Sequence, residues 1–325
     1  MAWDWNELRT TNHNSYGVVC VMQFDGLRPA RLKVGVISAG RVGTALGAAL
    51  ERADHVVVAC SATSSGSLQR AKKWLPDTVV MPPVEVAGSA ELLLVAVSDS
   101  ELAALVSELA ASSAVQPGTI VAHTSGAHGV GVLAPLIQQG CTALAIHPAM
   151  TFTGSDEDIS RLAGTCFGVT ATDEVGYMIA QSLVLEMGGE PILIAEHARP
   201  LYHAALAHAS NHVVTLLADA LDALRAACGD ELLGHELLSA YPGGGERIAE
   251  RIVGPLARAA LENTLSRGQA ALTGPVVRGD AAVVGEHLRV LAEVDPDLAQ
   301  NYRANALRTA QRVQACEQVF EVLSQ

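Results

Sequence analysis

A short stretch near the start of the chain, Val34–Leu46, most constrains how this protein can fold. It reads VGVISAGRVGTAL, an apolar run followed by small residues and then by a helical pattern. A strand, a tight turn and a helix in this order are typical of a turn that binds the pyrophosphate of a dinucleotide. Gly40 and Gly43 hold the second and third glycine positions of the G-x-G-x-x-G pattern, and Ser38 holds the first. A serine fits there if the turn does not need a positive φ. The alternative is an ordinary strand-to-helix turn that binds nothing.

The end of the second apolar run bears on which dinucleotide the turn would take. An acid that grips a ribose 2′-hydroxyl is expected about 20 residues after the turn, but this stretch reads ACSATSS and has no carboxylate. A loop rich in hydroxyls suits a 2′-phosphate better, so we predict NADP as the cofactor, with NAD as the alternative. Arg41 could add positive charge, or it could be a solvated loop arginine. The predicted cofactor-binding residues are Ser38, Ala39, Gly40, Arg41, Val42, Gly43, Ser61, Thr63, Val97 and Ser98.

Apolar runs and helical patterns alternate over the first two thirds of the chain. Eight runs are candidate strands, at residues 32–38, 55–61, 78–83, 91–98, 119–125, 142–148, 165–171 and 190–196. Nearly continuous runs of this kind, separated by helices, indicate a parallel sheet covered on both faces. The predicted fold is therefore α/β, with a doubly wound Rossmann-type parallel sheet.

The composition changes near His197, after which only helical patterns remain. We predict helices at residues 199–228, 244–267, 280–294 and 296–323, and hence an all-helical second domain. The predicted division is an N-terminal extension at 1–30, a Rossmann-type dinucleotide-binding domain at 31–196 and a helical domain for substrate binding and dimerisation at 197–325. Residues 1–30 have no clear period and could be a disordered tail, a docked arm or a segment that precedes a true start at Met22.

Charge and composition narrow the classes of partner. The 325-residue chain has a formal net charge of −13, which argues against nucleic acid or an anionic membrane as a partner. No apolar run approaches the roughly 18 residues of a membrane span. The six cysteines form no C-x-x-C pair, so we interpret them as reduced thiols of a cytoplasmic protein.

Polar residues follow several of the predicted strands, where ligands of open α/β sheets bind. His123 and Ser125 follow the fifth strand and His147 follows the sixth, so we predict that all three line the reactive end of the cofactor. A buried structural histidine is the alternative for each ring. Ser98 or Asp99 is expected to cap the helix after the fourth strand.

The second domain opens with a helix that carries an unusual number of polar groups. His203 and Asn211 fall on one side of this helix, where a substrate carbonyl or a neighbouring helix could be their partner. His208 and His212 have the i, i+4 spacing of a metal chelate, but no third ligand has a diagnostic spacing, and we predict no metal. Arg278 could grip a substrate carboxylate or form a surface ion pair.

Several motifs, taken in order, resemble one family. They are GVISAGRVGTAL, VAVSDSEL, AHTSGAHG, AIHPAMTF, YHAALAHASN and LTGPVVRGD. From about residue 32 to residue 323 the chain resembles bacterial Rossmann-like oxidoreductases that carry the domain of unknown function 2520. That family is similar in architecture to 6-phosphogluconate dehydrogenases and to 3-hydroxyisobutyrate, pyrroline-5-carboxylate and ketopantoate enzymes. The resemblance implies a homodimer through the helical domain and an active site in the cleft between the domains.

One departure from the related enzymes affects the predicted chemistry. The hydroxyacid and ketopantoate branches use a lysine and an asparagine on the first helix of the second domain. Here the only lysines are Lys33, Lys72 and Lys73, so a lysine acid on that helix is excluded. Arg199 or His203 could take its place, and a histidine gives up a proton near neutral pH whereas an arginine does not.

We therefore predict an NADP-dependent oxidoreductase that acts on a small 2-oxo acid, 2-hydroxy acid or imine, ketopantoate among the candidates. The predicted catalytic residues are His203, Asn211, His123, Ser125, His147 and Arg278. The alternatives are a non-catalytic NADP(H)-binding regulator or scaffold, and a Rossmann protein that binds another nucleotide such as an adenylyl cofactor.

Overall fold

The computed structural model describes residues 31–233 and 248–325; the predicted N-terminal extension at 1–30 lies outside them. Eight strands form one sheet. They are β1 (Lys33–Ile37), β2 (Val56–Cys60), β3 (Val79–Val80), β4 (Leu92–Val95), β5 (Ile120–His123), β6 (Thr142–Pro148), β7 (Cys166–Ala171) and β8 (Glu190–Leu193). Each strand falls within one of the eight predicted apolar runs, because buried parallel strands are apolar on both faces.

The sheet order is β3-β2-β1-β4-β5-β6-β7-β8, and this doubly wound order confirms the predicted fold class. One feature differs from the all-parallel prediction, since β7 runs antiparallel to β6, with His147 paired to Gly168. After Pro148 the chain stays at the carboxyl edge of the sheet, where Gly154 lies beside Arg41. A strand that starts from that edge must run in the opposite direction.

Seven helices flank the strands. They are α1 (Arg41–Arg52), α2 (Ser65–Trp74), α3 (Pro83–Ser89), α4 (Asp99–Ser112), α5 (Ala134–Ile137), α6 (Asp156–Arg161) and α7 (Glu174–Glu186). Successive side chains of a strand point to opposite faces of the sheet. In β4, Leu92 and Leu94 join the core beneath α1 and α7, whereas Leu93 and Val95 join the core beneath α3 and α4. Both faces are therefore covered, and full burial of each such leucine contributes about 1.5–3 kcal/mol.

Within the described residues, all the regular secondary structure that follows the sheet is helical. A 3₁₀ turn (Glu196–Ala198) leads into α8 (Arg199–Leu233), which is followed by α9 (Ile248–Arg267), α10 (Pro275–Arg278), α11 (Ala281–Val294), α12 (Pro296–Val313) and α13 (Glu317–Ser324). The last predicted helix is in fact two helices, because Gln314 adopts a left-handed conformation with φ 52° and ends α12. The domain boundary at 196/197 stays a prediction.

The helices of the C-terminal region differ in how well their apolar residues are covered. A small core joins α11, α12 and α13 through Val284, Ala310 and Val319. In contrast, Leu256 on α9 is 69% exposed and Leu265 is 77% exposed. None of the helices at 31–233 and 248–325 combines the length and apolar character needed to cross a membrane.

Candidate functional site

The turn between β1 and α1 begins with a strained serine. Ser38 has φ 72°, so the condition under which a serine fits without strain is not met. A left-handed serine costs on the order of 1 kcal/mol. The end of β2 stabilises this conformation, because the Ser38 amide donates to Oγ of Ser61 at 2.8 Å and the Ala39 amide donates to the Ser61 carbonyl at 2.7 Å.

The two glycines of the turn serve different purposes. A Cβ on Gly43 would collide with the Ser38 carbonyl oxygen, so a glycine is required there for the helix to pack on the strand. A Cβ on Gly40 would come no closer than 3.5 Å to any protein atom, the nearest being Ser38 Oγ. The φ of Gly40 is −73°, which any residue adopts. Neither packing nor backbone conformation therefore explains a glycine at position 40.

The N-terminus of α1 opens beside Gly40. Gly40 is the N-cap, no side chain caps the first amides, and the first turn has no acidic residue. The amides of the first helical turn and the helix dipole together attract an anion. The space over Gly40 and the uncapped amides form a cradle that could accept a phosphate group.

The other predicted cofactor residues divide into packed and accessible groups. Ala39 and Ser61 are buried, and Ser61 holds the turn through its hydroxyl oxygen and its carbonyl. Thr63 is exposed. Ser98 is the N-cap of α4, but its hydroxyl donates to Glu101 Oε2 at 2.7 Å and caps no amide.

At the same edge of the sheet, the start of α8 carries a buried arginine. Arg199 is completely buried. Its Nε donates to Thr170 Oγ1 at 2.7 Å, and its Nη2 donates to the carbonyls of Ala145 and Gly168, each at 2.9 Å. Its Nη1 donates to the Ser125 carbonyl at 3.3 Å. Arg199 therefore joins α8 to β6, β7 and the loop after β5, and it is not available to a substrate.

Three and four residues further on, Tyr202 and His203 lie on the same face of α8 as Arg199. The Tyr202 hydroxyl is 3.0 Å from Nδ1 of His147, at the end of β6. The His203 ring centre is 6.0 Å from that of His147. Among the described residues, neither nitrogen of His203 has a hydrogen-bond partner, so this half-buried ring is free to meet a ligand.

The two histidines at the strand ends are held in the neutral form. Burial lowers the pKa of His147 to about 4, and the Arg199 guanidinium contributes in the same direction. Burial likewise lowers the pKa of His123 to about 4, a shift that its hydrogen bond to the Gly129 backbone partly opposes. Neither ring therefore carries a proton on both nitrogens near neutral pH.

His123 and Ser125 are used within the protein, in contrast to the catalytic roles predicted for them. Nε2 of His123 is 2.9 Å from the Gly129 carbonyl, and its Nδ1 accepts from the Ser125 amide at 3.2 Å. Ser125 Oγ accepts from the His128 amide at 3.1 Å. These contacts close a compact loop after β5, and they leave no ring nitrogen of His123 for a substrate.

Two further predicted catalytic residues, Asn211 and Arg278, do not reach the group formed by His147, Tyr202 and His203. Asn211 is exposed and lies eight residues beyond His203, about 12 Å along the helix axis. Arg278 is on the surface at the end of α10, and its Nε pairs with Asp280 Oδ2 at 2.9 Å. The predicted carboxylate grip is therefore replaced by a surface ion pair. The described residues contain no group of three or more His, Cys, Asp or Glu that could hold a metal ion.

Sequence reasoning missed the anchoring role of Glu196 and the full role of Arg199. The Glu196 carboxylate accepts from the amides of Val130 at 2.8 Å and Gly131 at 3.0 Å, and so holds the loop after β5. Arg199, Tyr202 and His203 have the i, i+3, i+4 spacing of one helix face, and this spacing predicts that the three side chains lie together.

The fold and the turn define a Rossmann-like protein with a helical C-terminal region. A Rossmann-like domain model matches residues 18–148, and the domain of unknown function 2520 matches residues 165–309. The chain belongs to the family of Rossmann-like proteins that carry this second domain, as its motifs predicted.

Solved structures share the fold across most of the chain. A candidate NADP oxidoreductase from Bacteroides fragilis is 20% identical with a TM-score of 0.65, covering 86% of this chain and 98% of its own. A protein from Thermotoga maritima is 19% identical with a TM-score of 0.57, at the same coverage. An imine reductase variant from Myxococcus stipitatus, in complex with NAD⁺, is 13% identical with a TM-score of 0.55, covering 91% of this chain and all of its own. No curated protein matches the chain by sequence.

Proposed function

We propose that this protein is an NADP-dependent oxidoreductase, with NAD as the alternative cofactor. The observation that carries the proposal is the open space over Gly40. A glycine that neither packing nor φ requires, at an uncapped helix N-terminus, fits the close approach of a pyrophosphate. The Bacteroides fragilis neighbour bears the name of an NADP oxidoreductase and the Myxococcus stipitatus imine reductase was solved with NAD⁺, which supports this cofactor class.

The residues of the turn would hold the cofactor. The backbone at Gly40, Arg41 and Gly43 would surround the pyrophosphate, and Thr63 would lie towards the adenosine ribose. Val97 and Ser98, after β4, would lie along the cofactor at the same edge of the sheet. When bound, the nicotinamide supplies or accepts the hydride.

The substrate would lie beside His203, His147 and Tyr202. His203 is the proposed proton donor, because its ring has no hydrogen-bond partner among the described residues and an imidazole can both donate and accept a proton. His147 stays neutral and, together with Tyr202, forms a fixed wall of the site. The substrate class is a small 2-oxo acid, 2-hydroxy acid or imine, and a ketopantoate-like compound is one candidate.

A homodimer through the helical region is part of this proposal. Exposed apolar residues lie on α8 and α9, with Val214 at 68% and Leu256 at 69% exposure. Such faces on long helices favour cover by a second copy.

Oxidation of NADPH in the presence of small 2-oxo acids and cyclic imines tests the proposal. We expect His203→Ala to abolish most of the turnover and to leave the Kd for NADPH nearly unchanged. His208→Ala, on an exposed part of the same helix, is the matched control and should behave as the wild type. A His203→Ala variant with wild-type turnover would refute the assigned proton donor.

A further inference from the structure

Two arginines converge beside the loop that follows β2. A Cβ placed on Gly154 would meet Cγ of Arg41 at 3.4 Å and Cδ of Arg70 at 3.8 Å. A Cβ placed on Gly66 would meet Nη1 of Arg70 at 3.5 Å. The Arg70 guanidinium therefore lies over the first turn of α2, beside the end of β2, and Arg41 approaches the same place from the start of α1.

These arginines have no acidic partner within the described parts of the chain. Neither Arg41 nor Arg70 forms an ion pair there, and the buried Nε of Arg70 makes no hydrogen bond. By contrast, other arginines form ion pairs with carboxylates on the surface, as Arg161 does with Glu157. The aliphatic stems of Arg41 and Arg70 both pass Gly154, so two cationic side chains lie close together without a carboxylate, in a chain of net charge −13. An anion bound beside them would be favoured by their charge.

The neighbouring acids are engaged elsewhere. Asp156 accepts from Trp74 Nε1 at 2.7 Å and pairs with Lys73 Nζ at 2.6 Å. Asp158 is buried and accepts from the Gly154 amide at 2.6 Å. These contacts fasten the loop around Gly154 to α2 and leave the arginines without a carboxylate.

The hydroxyls of the loop are also largely committed. Ser61 holds the turn, and Ser64 and Ser67 form a reciprocal capping box at the start of α2. These three hydroxyls are therefore occupied by contacts within the protein, and the arginines are the charged donors beside this loop.

We propose that Arg70, assisted by Arg41, binds the phosphomonoester on the adenosine ribose of NADP(H) and so determines the preference for NADP(H) over NAD(H). This inference rests on the proposed function, because it places the cofactor's adenosine end beyond Thr63. A guanidinium presents several N–H donors to a phosphate, and such charge-assisted contacts are strong.

Calorimetric titration of the full chain with NADPH, NADH, 2′,5′-ADP and 5′-ADP tests the inference without any turnover. We expect Arg70→Met to weaken binding of NADPH and 2′,5′-ADP by about 10- to 100-fold. Binding of NADH and 5′-ADP should stay within about twofold of the wild type. Arg70→Lys keeps the charge, so its affinity for NADPH should lie between those of the wild type and Arg70→Met. This variant also guards against a folding defect in Arg70→Met.

Arg52→Met, at the far end of α1, is the matched control and should leave all four affinities unchanged. Equal loss of NADPH and NADH binding in Arg70→Met, or no loss of either, would overturn the inference and leave the proposed function standing. A wild-type chain that binds none of the four ligands would overturn both.

Discussion

The hydroxyl oxygen of Tyr202 lies 3.0 Å from Nδ1 of His147, and this contact joins the first turn of α8 to the end of β6. The two rings meet edge to face with their centres 5.6 Å apart. Tyrosine hydroxyl and neutral imidazole can each donate or accept, so the protonated nitrogen of His147 decides the direction of this hydrogen bond.

Tyr202→Phe should therefore disturb the site through His147. We expect a loss of about 1–2 kcal/mol in the free energy of unfolding, because a buried ring nitrogen loses its hydrogen-bond partner. We expect turnover to fall at least about tenfold while the Kd for NADPH is unchanged. Urea unfolding and steady-state kinetics measure the two effects.

Tyr302→Phe provides the matched control. Tyr302 makes the same kind of contact, 2.9 Å from Nδ1 of His287, between α11 and α12. This variant should lose similar stability and keep full turnover. Equal turnover in both variants would show that the Tyr202–His147 contact has only a structural role.

Arg199 should control the proton affinity of His147. In Arg199→Met the cation that helps to lower the pKa of His147 is gone, so that pKa should rise from about 4. Four acceptors, Ser125, Ala145, Gly168 and Thr170, also lose their donor, and we expect a loss of about 2–4 kcal/mol in stability.

Arg199→Lys keeps the charge and loses most of the hydrogen bonds. It should therefore lower stability but leave the His147 titration, followed by NMR of the ring protons, close to that of the wild type. A His147 pKa that is the same in both variants and in the wild type would contradict this electrostatic role.

The buried histidines should make the protein sensitive to mild acid. The pKa values of His123 and His147 are about 4 in the folded chain, against 6.5 for the ordinary side chain. As pH falls below about 6.5, the unfolded chain takes up protons that the folded chain refuses, so stability decreases until about pH 4. Each histidine contributes at most about 1.4 kcal/mol per pH unit.

Urea unfolding across this pH range measures the effect. His147→Asn should reduce the slope of stability against pH by about half, because one of the two groups no longer titrates. An equal slope in the variant and the wild type would show that His147 is not held neutral by the fold.

The two glycines of the turn should respond differently to the same substitution. Gly40→Ala should change the free energy of unfolding by less than about 1 kcal/mol, because its Cβ enters open space. It should nevertheless weaken NADPH binding at least about tenfold, because the Cβ fills the cradle. Gly43→Ala should cost about 2 kcal/mol or more in stability, since its Cβ meets the Ser38 carbonyl. Unchanged NADPH affinity in Gly40→Ala would contradict the proposal that the space over Gly40 holds a phosphate group of the cofactor.

The sheet was predictable from local pattern, whereas the direction of its last strands was not. Buried strands such as β4 show as apolar runs whichever way they point. The reversal at β7 depends on where the chain goes after Pro148, and no local pattern records it. The break at Gln314 was missed for a similar reason, because no glycine or proline marks it.

The position of the candidate site could be predicted from the sequence, but the role of each residue in it could not. His123 and His147 look alike in the sequence, since each follows a strand. Only the tertiary contacts show that His123 bonds to its own loop while His147 faces Tyr202. Arg199 draws its acceptors from residues 29 to 74 positions away, and a sequence gives no direct sign of such contacts.

A calorimetric titration of the wild-type chain with NADPH and NADH in parallel tests most directly whether the turn after β1 binds a dinucleotide. We expect saturable binding of NADPH and weaker binding of NADH, because the space over Gly40 is open to a phosphate group and the end of β2 carries no acid. Binding of neither dinucleotide would show that a turn opened by Ser38 does not hold a cofactor, and it would contradict the assignment as an oxidoreductase.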